Sequence, residues 1–211
     1  MSRLTPMDLA FFLTESRESP KHVAGALIFK KPRGAGKDWL PKQVANLKTQ
    51  DEPGSPFNRV IDFSGFTGPH WRTTEHFDID QHVFFKQPKQ PISETELFDY
   101  MARLHQPRMD QDKPLWEYHV IDNVEGNRFA VYAKMHHACA DGITMSRWMI
   151  ESLTTKPKKG PVKALWSYDF ARGSSSNKAN QDLFKRLVGN TRQWLQISRG
   201  ISKLVTQLTL E

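Results

Sequence analysis

The chain holds one cysteine, Cys139, in 211 residues. A single thiol excludes an intrachain disulfide and a cysteine-rich metal site, and fits a reducing compartment. No apolar run approaches the ~20 residues needed to cross a bilayer. The opening Met1-Ser2-Arg3-Leu4-Thr5-Pro6 lacks the apolar stretch of a secretory signal, so a cytoplasmic protein is expected. There is no glycine-rich phosphate loop: Gly34-Ala35-Gly36 has no third glycine at the dinucleotide spacing. There is no Gly-x-Ser-x-Gly elbow to present a serine nucleophile. No internal repeat and no nucleic-acid-binding motif is visible, so a nucleic-acid partner is not expected.

What is present is the balance of a globular fold, with 38% hydrophobic and 25% charged residues. The net charge of +7 suits phosphate-bearing ligands or an anionic lipid surface. Thr5-Pro6-Met7-Asp8 reads as a helix start, with Thr5 as cap, and Leu9, Phe12 and Leu13 as its apolar face. Strands are predicted over His22 to Phe29, Phe57 to Phe63 and Ile79 to Phe85, and a short helix over Leu40 to Leu47. Ser93-Glu94-Thr95-Glu96 is a capping box. The spacing of Leu97, Tyr100, Met101 and Leu104 then predicts a helix closed by Pro107. Pro114-Leu115-Trp116 opens a strand to Ile121, Glu125-Gly126-Asn127 turns the chain, and Arg128 to Met135 returns as its hairpin partner.

That second strand leads into Lys134-Met135-His136-His137-Ala138-Cys139-Ala140-Asp141-Gly142, followed by a helical run from Ile143 to Leu153. Ile143, Met149, Ile150 and Leu153 are its predicted buried face, with Arg147 and Glu151 exposed. Two imidazoles, a carboxylate and a glycine thus meet at a strand-to-helix junction, where a rigid scaffold can hold chemistry. Continuing the strand alternation sends His136 and His137 to opposite faces, so they cannot clamp one metal ion, and no metal site is expected. Lys134 marks the His136 face as the wetter one, which aims His137 at an apolar space. A neutral imidazole takes a proton from a hydroxyl at neutral pH, so His137 is the candidate general base. Asp141 either accepts from an imidazole N–H or pairs with a buried arginine that holds the turn. Gly142 allows a positive φ or a close approach of another segment. Cys139 falls inside the turn, which favours direct transfer over a covalent enzyme intermediate.

The stretch His136-His137-Ala138-Cys139-Ala140-Asp141-Gly142 resembles the His-His-x-x-x-Asp-Gly motif of the chloramphenicol acetyltransferase-like acyltransferase superfamily. Three further stretches narrow the likeness. Leu4-Thr5-Pro6-Met7-Asp8 with Phe12-Leu13, His22-Val23-Ala24-Gly25-Ala26, and Leu104-His105 through Asp110 to Pro114-Leu115-Trp116 resemble the bacterial wax ester synthase/diacylglycerol acyltransferase family. The resemblance covers about residues 4 to 155. It implies an α/β fold, a chloramphenicol acetyltransferase-like domain with a mixed, largely antiparallel sheet flanked by helices, and a second similar domain. It also implies transfer of a fatty acyl group from acyl-CoA, as co-substrate without other cofactor, to a long-chain alcohol or a diacylglycerol. His137 would be the base, with His136 beside it, and Asp141 would maintain geometry through an arginine. Pro114, Leu115 and Trp116 would be structural, and Gly25 would line the acyl channel.

The expected organisation is an acyltransferase domain over residues 1–155, a linker over 156–179 and an amphipathic helix over 180–211 leading to a C-terminal half that carries the oxyanion donors. Water-insoluble products imply peripheral attachment to a membrane or lipid droplet. The alternatives are a condensation-type acyl or peptidyl transferase of the same superfamily, and a non-catalytic lipid-binding module.

Overall fold

The computed structural model describes residues 2–64, 68–154, 162–168 and 170. In chain order the elements are β1 (Ser2–Arg3), α1 (Pro6–Thr14), β2 (His22–Lys30), α2 (Trp39–Lys48), β3 (Arg59–Asp62), β4 (His70–Thr73), β5 (Val83–Lys86), α3 (Glu94–His105), β6 (Trp116–Val124), β7 (Arg128–His136) and α4 (Gly142–Glu151). Short 3-10 turns occur at Ile79–Gln81 and Leu165–Ser167.

The main sheet has the order β2-β7-β6-β5, antiparallel except for the β5–β6 pair, as a mixed and largely antiparallel sheet requires. A smaller antiparallel sheet runs β1-β4-β3. The β6–β7 hairpin closes through Gly126 and Asn127, both with left-handed backbone (φ 77° and 57°), which glycine and asparagine tolerate best.

Alternation along β7 separates two cores. Val131, Ala133 and Met135 join Trp116 and Val120 of β6, Leu40 and Val44 of α2 and Met145, Trp148 and Met149 of α4. Ala130 and Tyr132 face the other way, with Ile121 and Val124, and meet Leu97 and Met101 of α3. Helices therefore cover both faces of the sheet. Burying a side chain such as Leu97 contributes about 1.5–3 kcal/mol. The capping boxes form as the sequence predicts for α3: Ser93 Oγ accepts from Glu96 N (3.3 Å) and Glu96 accepts from Ser93 N (2.8 Å). In α1 the same reciprocal arrangement joins Thr5 and Asp8.

Several expectations differ from the structure. Leu13 is not on the packed face of α1; it is 74% exposed, and Phe12 alone of that helix is fully buried. The stretch Ile79 to Phe85 is a 3-10 turn followed by a strand, because Asp78 caps the turn through Asp80 N. On α4 the buried face includes Met145 and Trp148, and the Glu151 side chain is largely buried while bonding Arg147. Within the expected linker, Ala164, Leu165, Trp166 and Phe170 lie in the main core. Gln50 ties them down: its amide donates to Val162 O, its side-chain oxygen accepts from Ala164 N, and its carbonyl accepts from Trp166 Nε1. Indole and aliphatic surface outweighs the Lys/Pro/Gly composition that marked the stretch as a spacer. The expected helix over 180–211 lies outside the described residues.

Candidate active site

β7 delivers the two histidines to one end of the main sheet. His136 is its last residue, paired in register with His22 of β2. Its amide donates to Leu115 O (3.0 Å), which gives Leu115 a defined place at the site. Pro114 and Leu115 are buried, and Trp116 donates through Nε1 to Phe57 O (2.8 Å) while stacking on His82 and Trp166. These three residues bring β6 alongside the histidine strand, with Trp116 paired to Met135.

The chain leaves the strand after His136. His137 N donates to Lys21 O (2.9 Å), and Cys139 N turns back to His136 O (2.9 Å). The turn begins at His137, although the His137 amide still follows the β2–β7 register. Both imidazoles lie against α1: His136 stacks on Phe12 (centroids 4.5 Å apart) and His137 on Phe11 (5.0 Å). The argument from Lys134 also fails. Lys134 is 1% exposed, donates to Leu104 O (2.9 Å) and pairs with Glu117 (3.1 Å), so its face is buried rather than wet. His136 is the fully enclosed imidazole, and His137 is the half-buried one.

The enclosed ring has a defined tautomer. His136 Nδ1 accepts from Ala138 N (3.1 Å), so the ring proton of the neutral form sits on Nε2. Nε2 lies 3.6 Å from Glu15 Oε1. Burial pushes the His136 imidazole down to about 4, against the opposing pull of Glu15, so it is neutral at pH 7. Burial also raises the Glu15 carboxyl, but the Lys21 amide, Arg108, His136 and Gln111 outweigh it and hold Glu15 low. His137 is lowered chiefly by burial, with the Asp141 charge opposing, so it too is a neutral imidazole. Among the described residues its ring meets the face of Phe11 and no hydrogen-bonding side chain.

Asp141 is neither buried nor paired with an arginine among the described residues. It is exposed and caps α4, its Oδ1 accepting from Thr144 N (2.7 Å), while Arg147 bonds Glu151. The turn ends one residue before the helix, which leaves the Asp141 side chain at the first unsatisfied amides, where an aspartate belongs. Gly142 does not take a positive φ; an added Cβ would make ordinary contact with Val23 (3.6 Å). Gly25, on β2 opposite Ala133, is where space is short: a Cβ there would stand 2.5 Å from Met149 Sδ. The open side of Gly25 is thus filled by the α4 thioether. Cys139 is partly buried, and desolvation pushes its thiol up to about 12. No group of three or more His, Cys, Asp or Glu among the described residues is arranged to hold a metal ion.

Sequence reasoning passed over Glu15. It lies in the polar run Thr14-Glu15-Ser16-Arg17-Glu18-Ser19, where nothing distinguishes it from a surface carboxylate. Its side chain is nevertheless only 1% exposed. Arg108 and Gln111, which bond it, sit in a loop whose composition carries no signal of their own.

The model of the wax ester synthase/diacylglycerol acyltransferase catalytic domain matches residues 4–211. A probable diacylglycerol O-acyltransferase of Mycobacterium tuberculosis is 33% identical over 219 residues, covering 100% of this chain and 48% of that protein. An O-acyltransferase of Acinetobacter baylyi is 28% identical, covering 98% of this chain and 44% of the relative. Among solved structures, the wax ester synthase/diacylglycerol acyltransferase of Marinobacter aquaeolei superposes with a TM-score of 0.75 at 30% identity, over 79% of this chain and 42% of that one. A condensation domain of an antibiotic synthetase matches at a TM-score of 0.54 and 16% identity, a likeness of fold alone. The chain spans about half the length of the curated relatives it matches. By the family match along its length and the shared fold, the chain belongs to the wax ester synthase/diacylglycerol acyltransferase family.

Proposed function

We propose that the protein containing this chain is an O-acyltransferase that moves a fatty acyl group from acyl-CoA to the hydroxyl of a long-chain alcohol or a diacylglycerol, with His137 as general base. The observation that carries the reading is the half-buried, neutral imidazole of His137, free of hydrogen-bonding side chains among the described residues and braced on Phe11. Such a ring has a lone pair to offer an incoming hydroxyl. His137 takes that proton as the oxygen attacks the thioester carbonyl. The tetrahedral oxyanion then expels CoA, whose sulfur leaves with the proton from His137. Base catalysis of this kind contributes about 10²–10⁴-fold. A covalent route through Cys139 is disfavoured, because a thiol held at about 12 has almost no thiolate at neutral pH. The reaction needs no cofactor beyond its acyl-CoA co-substrate, and the C-terminal half supplies the oxyanion donors and the other wall of the channel.

The acceptor and product are water-insoluble, so the protein works in the cytoplasm at the surface of a membrane or lipid droplet. No helix among the described residues is long and apolar enough to cross a membrane. Near α1, Leu13 (74% exposed) and Phe63 (52%) offer apolar surface, with Phe63 edge-on to Phe12. The test is an assay of the full-length protein with palmitoyl-CoA against hexadecanol and against a diacylglycerol, with product identification and co-sedimentation on anionic liposomes. Formation of a wax ester or a triacylglycerol supports the reading. Transfer only from an acyl-carrier protein would overturn it.

A further inference from the structure

We infer that Glu15 is a positioning residue for the reaction: its carboxylate fixes the peptide groups on both sides of His137, one through Lys21 and the other through His136. The inference rests on the reading of His137 as base.

Glu15 follows α1 as its C-cap with an extended backbone (φ −74°, ψ 131°), which turns its side chain inward from the helix end. Oε1 accepts from Lys21 N (3.1 Å), and Oε2 accepts from Arg108 Nε (2.8 Å) and Gln111 Nε2 (2.9 Å). The carboxylate is therefore locked by three donors from two separate segments. From Oε1 two arms reach His137. In the first, the same Lys21 whose amide is bonded to Glu15 accepts from His137 N through its carbonyl (2.9 Å). In the second, Oε1 faces His136 Nε2 (3.6 Å), and Nδ1 on the opposite side of that ring accepts from Ala138 N (3.1 Å).

The second arm depends on the tautomer. Ala138 N–H finds an acceptor only if the His136 proton sits on Nε2, the side Glu15 faces. That buried nitrogen has no hydrogen-bond partner among the described residues, and the Glu15 carboxylate is the charge that faces it. The carboxylate thus selects the ring state that holds the turn, and the turn aims His137. Phe12, stacked on His136, keeps the ring plane while Glu15 keeps its rotation. Small displacements of a base from its attack geometry cost rate rather than binding.

The test uses the full-length protein with palmitoyl-CoA and hexadecanol. kcat, KM and the melting temperature are measured for Glu15→Gln, His136→Ala, the two combined, and His137→Ala. Glu15→Gln keeps the size of the side chain but removes its charge. It should lower kcat by about tenfold or more with KM within about twofold. Because both substitutions release the same turn, the combined loss should fall short of the product of the single losses. If His137→Ala stays active, the reading of the site fails and this inference with it. If His137→Ala is inactive while folded Glu15→Gln keeps the parent kcat, or the combined loss equals the product, the positioning role alone is overturned. A measurement on the unsubstituted protein guards against variants that fail to fold. In ¹⁵N-histidine spectra at neutral pH, His136 should carry its proton on Nε2; a proton on Nδ1 refutes the arrangement whatever the variants do.

Discussion

Asp141→Ala separates two accounts of the motif aspartate by magnitude. If Asp141 were a buried partner of an arginine, its removal would strand a buried charge at a cost of about 3–5 kcal/mol. The structure instead shows an exposed N-cap whose Oδ1 accepts from Thr144 N at 2.7 Å. Replacing a capping aspartate by alanine costs about 0.5–2 kcal/mol, and its charge near the helix N-terminus accounts for about 0.3–1 kcal/mol of such a loss. The expected destabilisation is therefore about 1 kcal/mol, a drop in melting temperature of about 2–4 °C for a domain of this size. Asparagine and serine also cap, so Asp141→Asn and Asp141→Ser should recover most of that loss. Activity should behave differently. Asp141 is the charge that opposes the lowering of His137, and only the carboxylate supplies it. Asp141→Asn is thus expected to fold like the parent and to be slower in transfer. Thermal melts and initial rates of the full-length variants make the comparison. A loss of more than about 3 kcal/mol in Asp141→Asn would refute the capping account and restore a buried ion pair.

Gly25→Ala should destabilise by about 1–3 kcal/mol, because its Cβ would overlap Met149 Sδ, and pairing it with Met149→Ala should relieve the overlap; additive melts would count against this contact. Cys139 should react slowly with iodoacetamide at pH 7, since burial holds its thiol at about 12; rapid labelling of the folded protein would contradict that. Stability should fall as pH drops from about 6.5 towards 4. His22 and His136 are both lowered by burial to about 4, so the unfolded chain binds more protons in that window; a melting temperature flat across it would contradict their burial as neutral rings.

The parts of this fold that read directly from sequence are those whose signals are local. The α3 capping box with its Leu97 and Met101 stripe, the Gly126-Asn127 turn and the alternation along β7 each name their own partners within a few residues. The histidine motif marked the site, but not its orientation. Alternation assigned His137 a face, yet it could not show that both rings stack on α1, against Phe12 and Phe11, which are distant in sequence. Lys134 was misleading for the same reason. A lysine in a strand suggests water, but the Glu117 carboxylate on β6 and the Leu104 carbonyl satisfy this one as a core residue. Glu15 was invisible because its burial is produced by Arg108 and Gln111, more than ninety positions away (|i−j| of 93 and 96). β1 and β4 were missed since two- and four-residue strands carry too few positions to show a period.

The central claim, that His137 is the general base, is tested most directly by the steady-state rate of full-length His137→Ala with palmitoyl-CoA and an alcohol or diacylglycerol acceptor. With melting temperature unchanged, kcat should fall by about 10²–10⁴-fold. A folded variant that kept more than about a tenth of the parent rate would contradict it.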